Sequence, residues 1–163
     1  MNNTALVVID LQNDITKHYQ QIIERVNDAI DWAAANEMHI IYIKHYNLSD
    51  KTRTFKPGTK GAELVSELKV VSDHVFEKSK ASALTCEAFA GFIEENGIDT
   101  FYITGADATG CVKSTSYNLA KAGYKVRVIS DCVTCYNLKK LEAMFAYYAA
   151  KGCEVGPLAD LMG

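Results

Sequence analysis

Short, wholly apolar runs alternate along the chain with stretches whose apolar residues recur every three or four positions. Residues 5–9 (ALVVI) are apolar and β-branched throughout, which suits a strand buried on both faces. Ile22, Ile23, Val26, Ala29, Ile30 and Ala33 then mark one stripe of a helix. A second buried strand reads at 39–43 (HIIYI). Residues 47–61 are polar, carry Pro57-Gly58 and read as a surface loop, and 61–68 leave room for one short helix. Residues 75–78 suit a third, short strand, and 85–96 a helix closed by Gly97. Further strands read at 100–104 (TFYIT) and 125–130 (KVRVIS), with a helix between them from near Cys111 to Gly123. A last helix, about 138–151, precedes a brief strand at 153–155.

Such alternation implies parallel pairing with right-handed crossovers. The expected fold is a three-layer α/β domain of the Rossmann-like, doubly wound kind. It has a six-stranded parallel sheet of order 3-2-1-4-5-6 and spans residues 1–163 as one unit. No linker, repeat or low-complexity tract interrupts it. Ligands in these sheets bind beyond the carboxyl ends of the strands, where the strand order reverses. Asp10 follows the first strand, Lys78 ends the third, and a loop leading to Cys111 follows the fourth. With strands one and four adjacent at the switch point, Asp10 and Cys111 face each other and Lys78 reaches in from the side.

Composition narrows the function classes. With 48% apolar and 23% charged residues the chain is ordinary for a globular protein. A net charge of -3 offers no electrostatic footprint for nucleic acid or an anionic membrane, which leaves a small-molecule substrate or protein contact as the open classes. No stretch approaches the ~20 apolar residues of a membrane span. The first residues lack a basic region and Asp10 interrupts the apolar run, which argues against a signal peptide. The five cysteines are odd in number and follow no framework spacing, as expected of a reduced, cytoplasmic protein.

Each candidate also has a plain structural reading. An aspartate closing a strand is often a turn former, a lysine there is usually solvated, and a cysteine is usually a small buried hydrophobe. Cys111 differs in following Gly-Ala-Asp-Ala-Thr-Gly and opening a helix. A helix N-terminus and a nearby lysine both favour the thiolate nucleophile.

At these residues the sequence resembles the isochorismatase-like hydrolases. The matching segments are VVIDLQND at 7–14, PGTKGAEL at 57–64, FEKSKASAL at 76–84, ITGADATGCV at 103–112 and AGYKVRVISD at 122–131, all in family order. The resemblance implies a catalytic set of Cys111 as nucleophile, Asp10 as general base and Lys78 stabilising charge around the thiolate. It also implies an oxyanion hole from the backbone N–H groups of Asp107 and Cys111, in a loop shaped by a cis Ala106–Asp107 bond. The resemblance also implies Lys78 rather than Lys80 as the catalytic lysine, because in similar proteins that lysine lies four residues before the serine of a Ser-Ala-aromatic element, matched here by Ser82-Ala83-Leu84. Leu84 stands where the family commonly has an aromatic residue.

Relatives that bind metal carry Asp-x-His-x-x-His after the second strand. This chain has Ile43-Lys44-His45-Tyr46-Asn47-Leu48, so no catalytic metal and no cofactor are expected. His45 and Tyr136 become substrate-binding candidates, and His18, His39 and His74 need no special role. Cys132 and Cys135 form a lone CxxC, too few ligands for zinc, and read as packing. The expected activity is hydrolysis of a small amide or ureide C–N bond through a thioester. The alternatives are vinyl ether hydrolysis of the isochorismate type, for which the cysteine is dispensable, and a catalytically idle binding module of the same fold. Similar proteins are commonly dimers or tetramers, so a homo-dimer or homo-tetramer is expected, with the short 47–61 loop leaving the pocket open or completed by a partner chain.

Overall fold

The computed structural model describes residues 2–16 and 19–162; His18 lies outside the described residues. Six strands form one sheet: β1 (Thr4–Ile9), β2 (His39–His45), β3 (Val75–Lys78), β4 (Thr100–Ala106), β5 (Lys125–Thr134) and β6 (Glu154–Gly156). Their spatial order is β3-β2-β1-β4-β5-β6, and every pairing is parallel. The expected fold class and strand order are therefore observed.

The helices are α1 (Asn13–Thr16), α2 (Ile23–Ala35), α3 (Glu87–Glu95), α4 (Cys111–Lys121), α5 (Leu141–Ala150) and α6 (Leu158–Leu161). Alternation along β1 assigns them to layers. Leu6 and Val8 point into a core with Val26, Ala29, Ile30 and Ala33 of α2 and Leu158 and Leu161 of α6. Ala5, Val7 and Ile9 point the other way, against Phe89 and Ile93 of α3, Val112 and Leu119 of α4 and Tyr148 of α5. Every β1 side chain from Ala5 to Ile9 is fully buried, which is why that strand reads as an unbroken apolar run.

Three local expectations are corrected. Residues 61–68 form no helix beyond a single 3-10 turn at Lys60–Ala62. The segment pairs with the chain after β1 instead, through Asn13 N–H to Glu63 O (2.9 Å), Val65 N–H to Leu11 O (3.0 Å) and a bridge between Gln12 and Leu64. The helix expected over 85–96 is two pieces, a 3-10 turn at Ala83–Thr85 and α3, because Cys86 between them is extended (φ -82°, ψ 111°). The fifth strand outruns its expected end at 130 and continues to Thr134. A bulge makes this possible, since Ile103 pairs with Val128 but Gly105 with Val133. The bulge carries the end of β5 alongside the loop that follows β4.

Candidate active site

Chain geometry at the carboxyl end of β1 sets the site. Asp10 leaves the sheet with φ 57°, a left-handed conformation that aspartate tolerates better than most residues and that concentrates at functional sites. Its N–H donates to Ile43 O and its carbonyl accepts from Gln12 N–H, both at 2.9 Å, so the turn is pinned. Next to it Ile9 pairs with Gly105, whose φ is +116°. A Cβ at Gly105 would lie 2.2 Å from Ile9 O, so glycine alone lets β4 approach and bring its following loop beside Asp10.

From the other side, the register of β3 on β2 sets Lys78 opposite His45. The Lys78 side chain is inaccessible to solvent, and its ammonium donates to Asp10 Oδ2 (3.1 Å), His45 Nδ1 (2.8 Å) and Cys111 Sγ (3.2 Å). An ammonium has three protons, and here each has one acceptor. Since Nδ1 of His45 accepts, its Nε2 carries the ring proton. Burial, helped by the Lys78 charge, lowers the His45 pKa to about 4, so the ring is neutral. Lys80, in contrast, is exposed.

Cys111 opens α4 directly after Gly110 and, like His45, is only partly buried, whereas Asp10 and Lys78 are buried. The sequence-based expectation that the helix N-terminus and Lys78 favour the thiolate meets opposing influences here. Burial and the Asp10 carboxylate raise the thiol pKa to about 12 against the opposing pull of Lys78. The helix terminus and one lysine do not offset desolvation plus an adjacent anion. Burial likewise holds the Asp10 carboxyl above the usual range, opposed by Lys78 and by Cys111. Asp10 Oδ1 is buried and has no hydrogen-bond partner among the described residues, leaving it open to a proton. A thiol of raised pKa thus lies beside a carboxyl group of raised proton affinity.

The loop between β4 and α4 completes the arrangement. The Ala106–Asp107 peptide bond is cis. Ala108 N–H donates to Thr134 O at 2.8 Å, tying the loop to the bulged end of β5. The Cys111 N–H belongs to the first turn of a helix, where backbone donors have no acceptor within the helix. Tyr136 stands on the rim, 70% exposed, with its backbone N–H on Asp107 Oδ2 at 3.1 Å.

Two supporting residues escaped the sequence reading. Gln12 is fully buried and clamps His45: its Oε1 accepts from His45 N–H (2.8 Å) while its Nε2 donates to His45 O (3.0 Å) and Ala62 O (2.8 Å). A polar residue two positions after Asp10, with Leu11 between them, was its only trace in sequence. Phe55, buried at φ 59°, sets its ring 5.9 Å from that of His45 and donates its N–H to Asp14 Oδ2 at 2.7 Å, which ties the 47–61 loop to α1.

Asp10, His45 and Cys111 offer ligand-type atoms within 4.8 Å of one another. The Lys78 ammonium donates to a side-chain atom of each of the three, so with this lysine in place the donor set does not fit a metal ion. Cys132 and Cys135 lie apart from this chemistry. Both are buried free thiols, Cys132 with its Sγ 3.4 Å from Arg25 O and Cys135 with its Sγ 3.0 Å from Asn137 O. Among the described residues no helix is long and apolar enough to cross a membrane.

Residues 4–160 match the family model of the isochorismatase domain, and the chain belongs to that family of hydrolases. A protein of Arabidopsis thaliana named "Probable inactive nicotinamidase" is 26% identical over 155 residues, covering 79% of each chain. A nicotinamidase of Acinetobacter baylyi is 28% identical over 174 residues, covering 80% of each. Among solved structures, an isochorismatase family protein from Desulfovibrio vulgaris superposes with a TM-score of 0.91 at 20% identity, covering 99% of this chain and 97% of that one. The N-carbamoylsarcosine amidase of Thermoplasma acidophilum superposes with a TM-score of 0.83 at 23% identity, covering 94% and 95%.

Proposed function

We propose that this protein hydrolyses the C–N bond of a small amide or ureide through a thioester on Cys111. The observation that carries the reading is the convergence of the Lys78 ammonium on Asp10, His45 and Cys111 within 3.2 Å. The amidases among its relatives support the same chemistry.

Cys111 Sγ attacks the carbonyl carbon while its proton passes to the Asp10 carboxylate. Lys78 stabilises the sulfur as it gains charge, and this matters because the resting thiol is a weak acid. The carbonyl oxygen becomes an oxyanion facing the N–H groups of Cys111 and Asp107. The C–N bond then breaks, and the leaving amine takes the proton back from Asp10. Water, deprotonated by Asp10, attacks the thioester, and the C–S bond breaks with return of the proton to sulfur. Neutral His45, its Nδ1 engaged by Lys78, presents Nε2–H as a donor to the substrate, and Tyr136 lines the rim.

The test is a panel of amides, carbamoyl compounds and isochorismate assayed with wild type and Cys111→Ala. Amide or carbamoyl turnover that vanishes in the variant is expected. Turnover of isochorismate retained by Cys111→Ala would replace the reading with vinyl ether hydrolysis, and inertness toward the whole panel would favour an idle binding module. We also propose a homo-dimer or homo-tetramer. Its support is α5, apolar in sequence yet burying only Tyr148 in the chain, beside Leu138, which is 59% exposed. A monomer in sedimentation would remove that proposal.

A further inference from the structure

Asp107 accepts hydrogen bonds at every oxygen it has. Its Oδ1 takes Thr109 N–H and Thr109 Oγ1–H, both at 2.8 Å. Its Oδ2 takes the Tyr19 hydroxyl at 2.8 Å and Tyr136 N–H at 3.1 Å. Its backbone carbonyl takes Gly110 N–H at 3.0 Å and Val112 N–H at 3.2 Å. One residue thus binds three separate parts of the chain: the segment before α2, its own loop and the segment after β5.

An ionised carboxylate beside a site where an oxyanion forms is unfavourable electrostatically, so its presence calls for a reason. Here the charge is absorbed locally. Burial opposes ionisation, yet the donors from Thr109, Tyr136 and Tyr19 together hold the carboxyl below the usual range. The carboxylate therefore acts as a fixed anchor, and what it anchors is its own backbone N–H and, through the Asp107 carbonyl, the first turn of α4. The Asp107 N–H can face the reacting carbonyl only while this loop holds its shape.

We infer that the Asp107 side chain is a positioning residue for the oxyanion hole, bracing the β4–α4 loop through Tyr19, Thr109 and Tyr136. This rests on the thioester reading above, and the two can fail separately. The carboxylate touches neither substrate nor thiol; it acts through the placement of backbone donors. Asparagine at this position keeps the volume but can accept at only one end, so one pair of donors is lost.

The experiment compares two reactions of the same thiol. With p-nitrophenyl acetate, the Cys111 C–S bond forms, the ester C–O bond breaks, p-nitrophenolate leaves and the thiol proton passes to Asp10; an oxyanion develops on the way. With iodoacetamide, the C–S bond forms as iodide leaves, with no oxyanion. In Asp107→Asn the acylation burst should slow by about 10-fold or more, since loss of one whole oxyanion donor typically costs ~10²–10³. Alkylation should stay within about twofold, because displacement at a saturated carbon needs no such donors.

Tyr19→Phe, which removes one donor and keeps the ring, should slow acylation by roughly threefold to tenfold, the worth of one hydrogen bond. It decides the matter if Asp107→Asn does not fold. Acylation unchanged in both variants, or acylation and alkylation falling in step, overturns the inference. A wild-type protein whose Cys111 is alkylated but never acylated overturns the thioester reading itself.

Discussion

Two thiol-bearing regions of this protein are alike in raised thiol pKa and differ in what surrounds the sulfur. Cys111 opens α4 and Cys132 lies near the end of β5; burial raises the thiol pKa of both well above the ordinary value. Around Cys132, Asp131 lies in hydrogen-bond range and with Asp28 pushes the pKa further up, against a weaker opposing pull from Arg25, whose carbonyl the sulfur lies against. Around Cys111 an ammonium donates to sulfur and the Asp10 carboxylate is an adjacent anion. On the proposed mechanism, what sets Cys111 apart is not resting acidity but an ammonium that donates directly to its sulfur.

The bluntest way to break this contrast is to remove each sulfur. Cys111→Ala is expected to abolish amide hydrolysis with stability within ~1–2 kcal/mol of wild type, while Cys132→Ala keeps full turnover and loses a similar ~1–2 kcal/mol as a core truncation. Steady-state kinetics with urea melts of both variants check it, and activity lost from Cys132→Ala at full folding would end the comparison.

Removing the base comes next. Asp10→Asn should lower kcat by ~10²–10⁴, the usual worth of general base catalysis. Because Asp10 also raises the thiol pKa, the midpoint for iodoacetamide labelling of Cys111 should move down from about 12 even as turnover collapses. An upward shift would show that Asp10 stabilises the thiolate by another route.

Removing the cation should cost less. Lys78→Ala is expected to lower kcat by about 10²-fold, a fraction of what a unit charge at contact distance is worth in a low-dielectric site. Lys80→Ala, at an exposed position, should leave kcat near wild type. Equal losses in the two would place the wrong lysine in the site.

The smallest effect is on stability against pH. The folded-state pKa of His45 is lowered to about 4 from 6.5, so in that window the unfolded chain binds a proton that the native state refuses. Stability from this group is present above the unfolded value and is lost as pH falls through the window. Urea midpoints taken from pH 7 down to pH 4 should decline less steeply in His45→Asn; a steeper decline would mean that His45 is charged in the native state.

Much of this architecture was legible along the chain, because buried parallel strands write themselves as unbroken apolar runs. The run at 5–9 fell one residue short of β1 (Thr4–Ile9), and the β3 boundaries at Val75–Lys78 were read as they stand. So were the positions of Asp10, Lys78 and Cys111, since each follows or ends a recognisable element. Segments whose hydrogen bonds go to distant partners were not legible. Residues 61–68 carry enough apolar residues for a helix, yet their backbone groups pair with residues 11–13. The last turn of β5 was missed for a similar reason: a bulge changes its register, and bulges leave no periodic trace.

The sequence by itself determined which side chains could do chemistry and at which strand ends they stand, since these follow from local pattern. Tertiary structure decided how they act on one another. That Lys78 donates to three acceptors, that His45 is neutral with Nδ1 engaged, and that the Cys111 thiol rests protonated all depend on burial and on contacts between residues 33 to 101 positions apart. Proton affinity is a property of the environment of a group, and no stretch of neighbouring residues encodes an environment assembled from four strands and a helix.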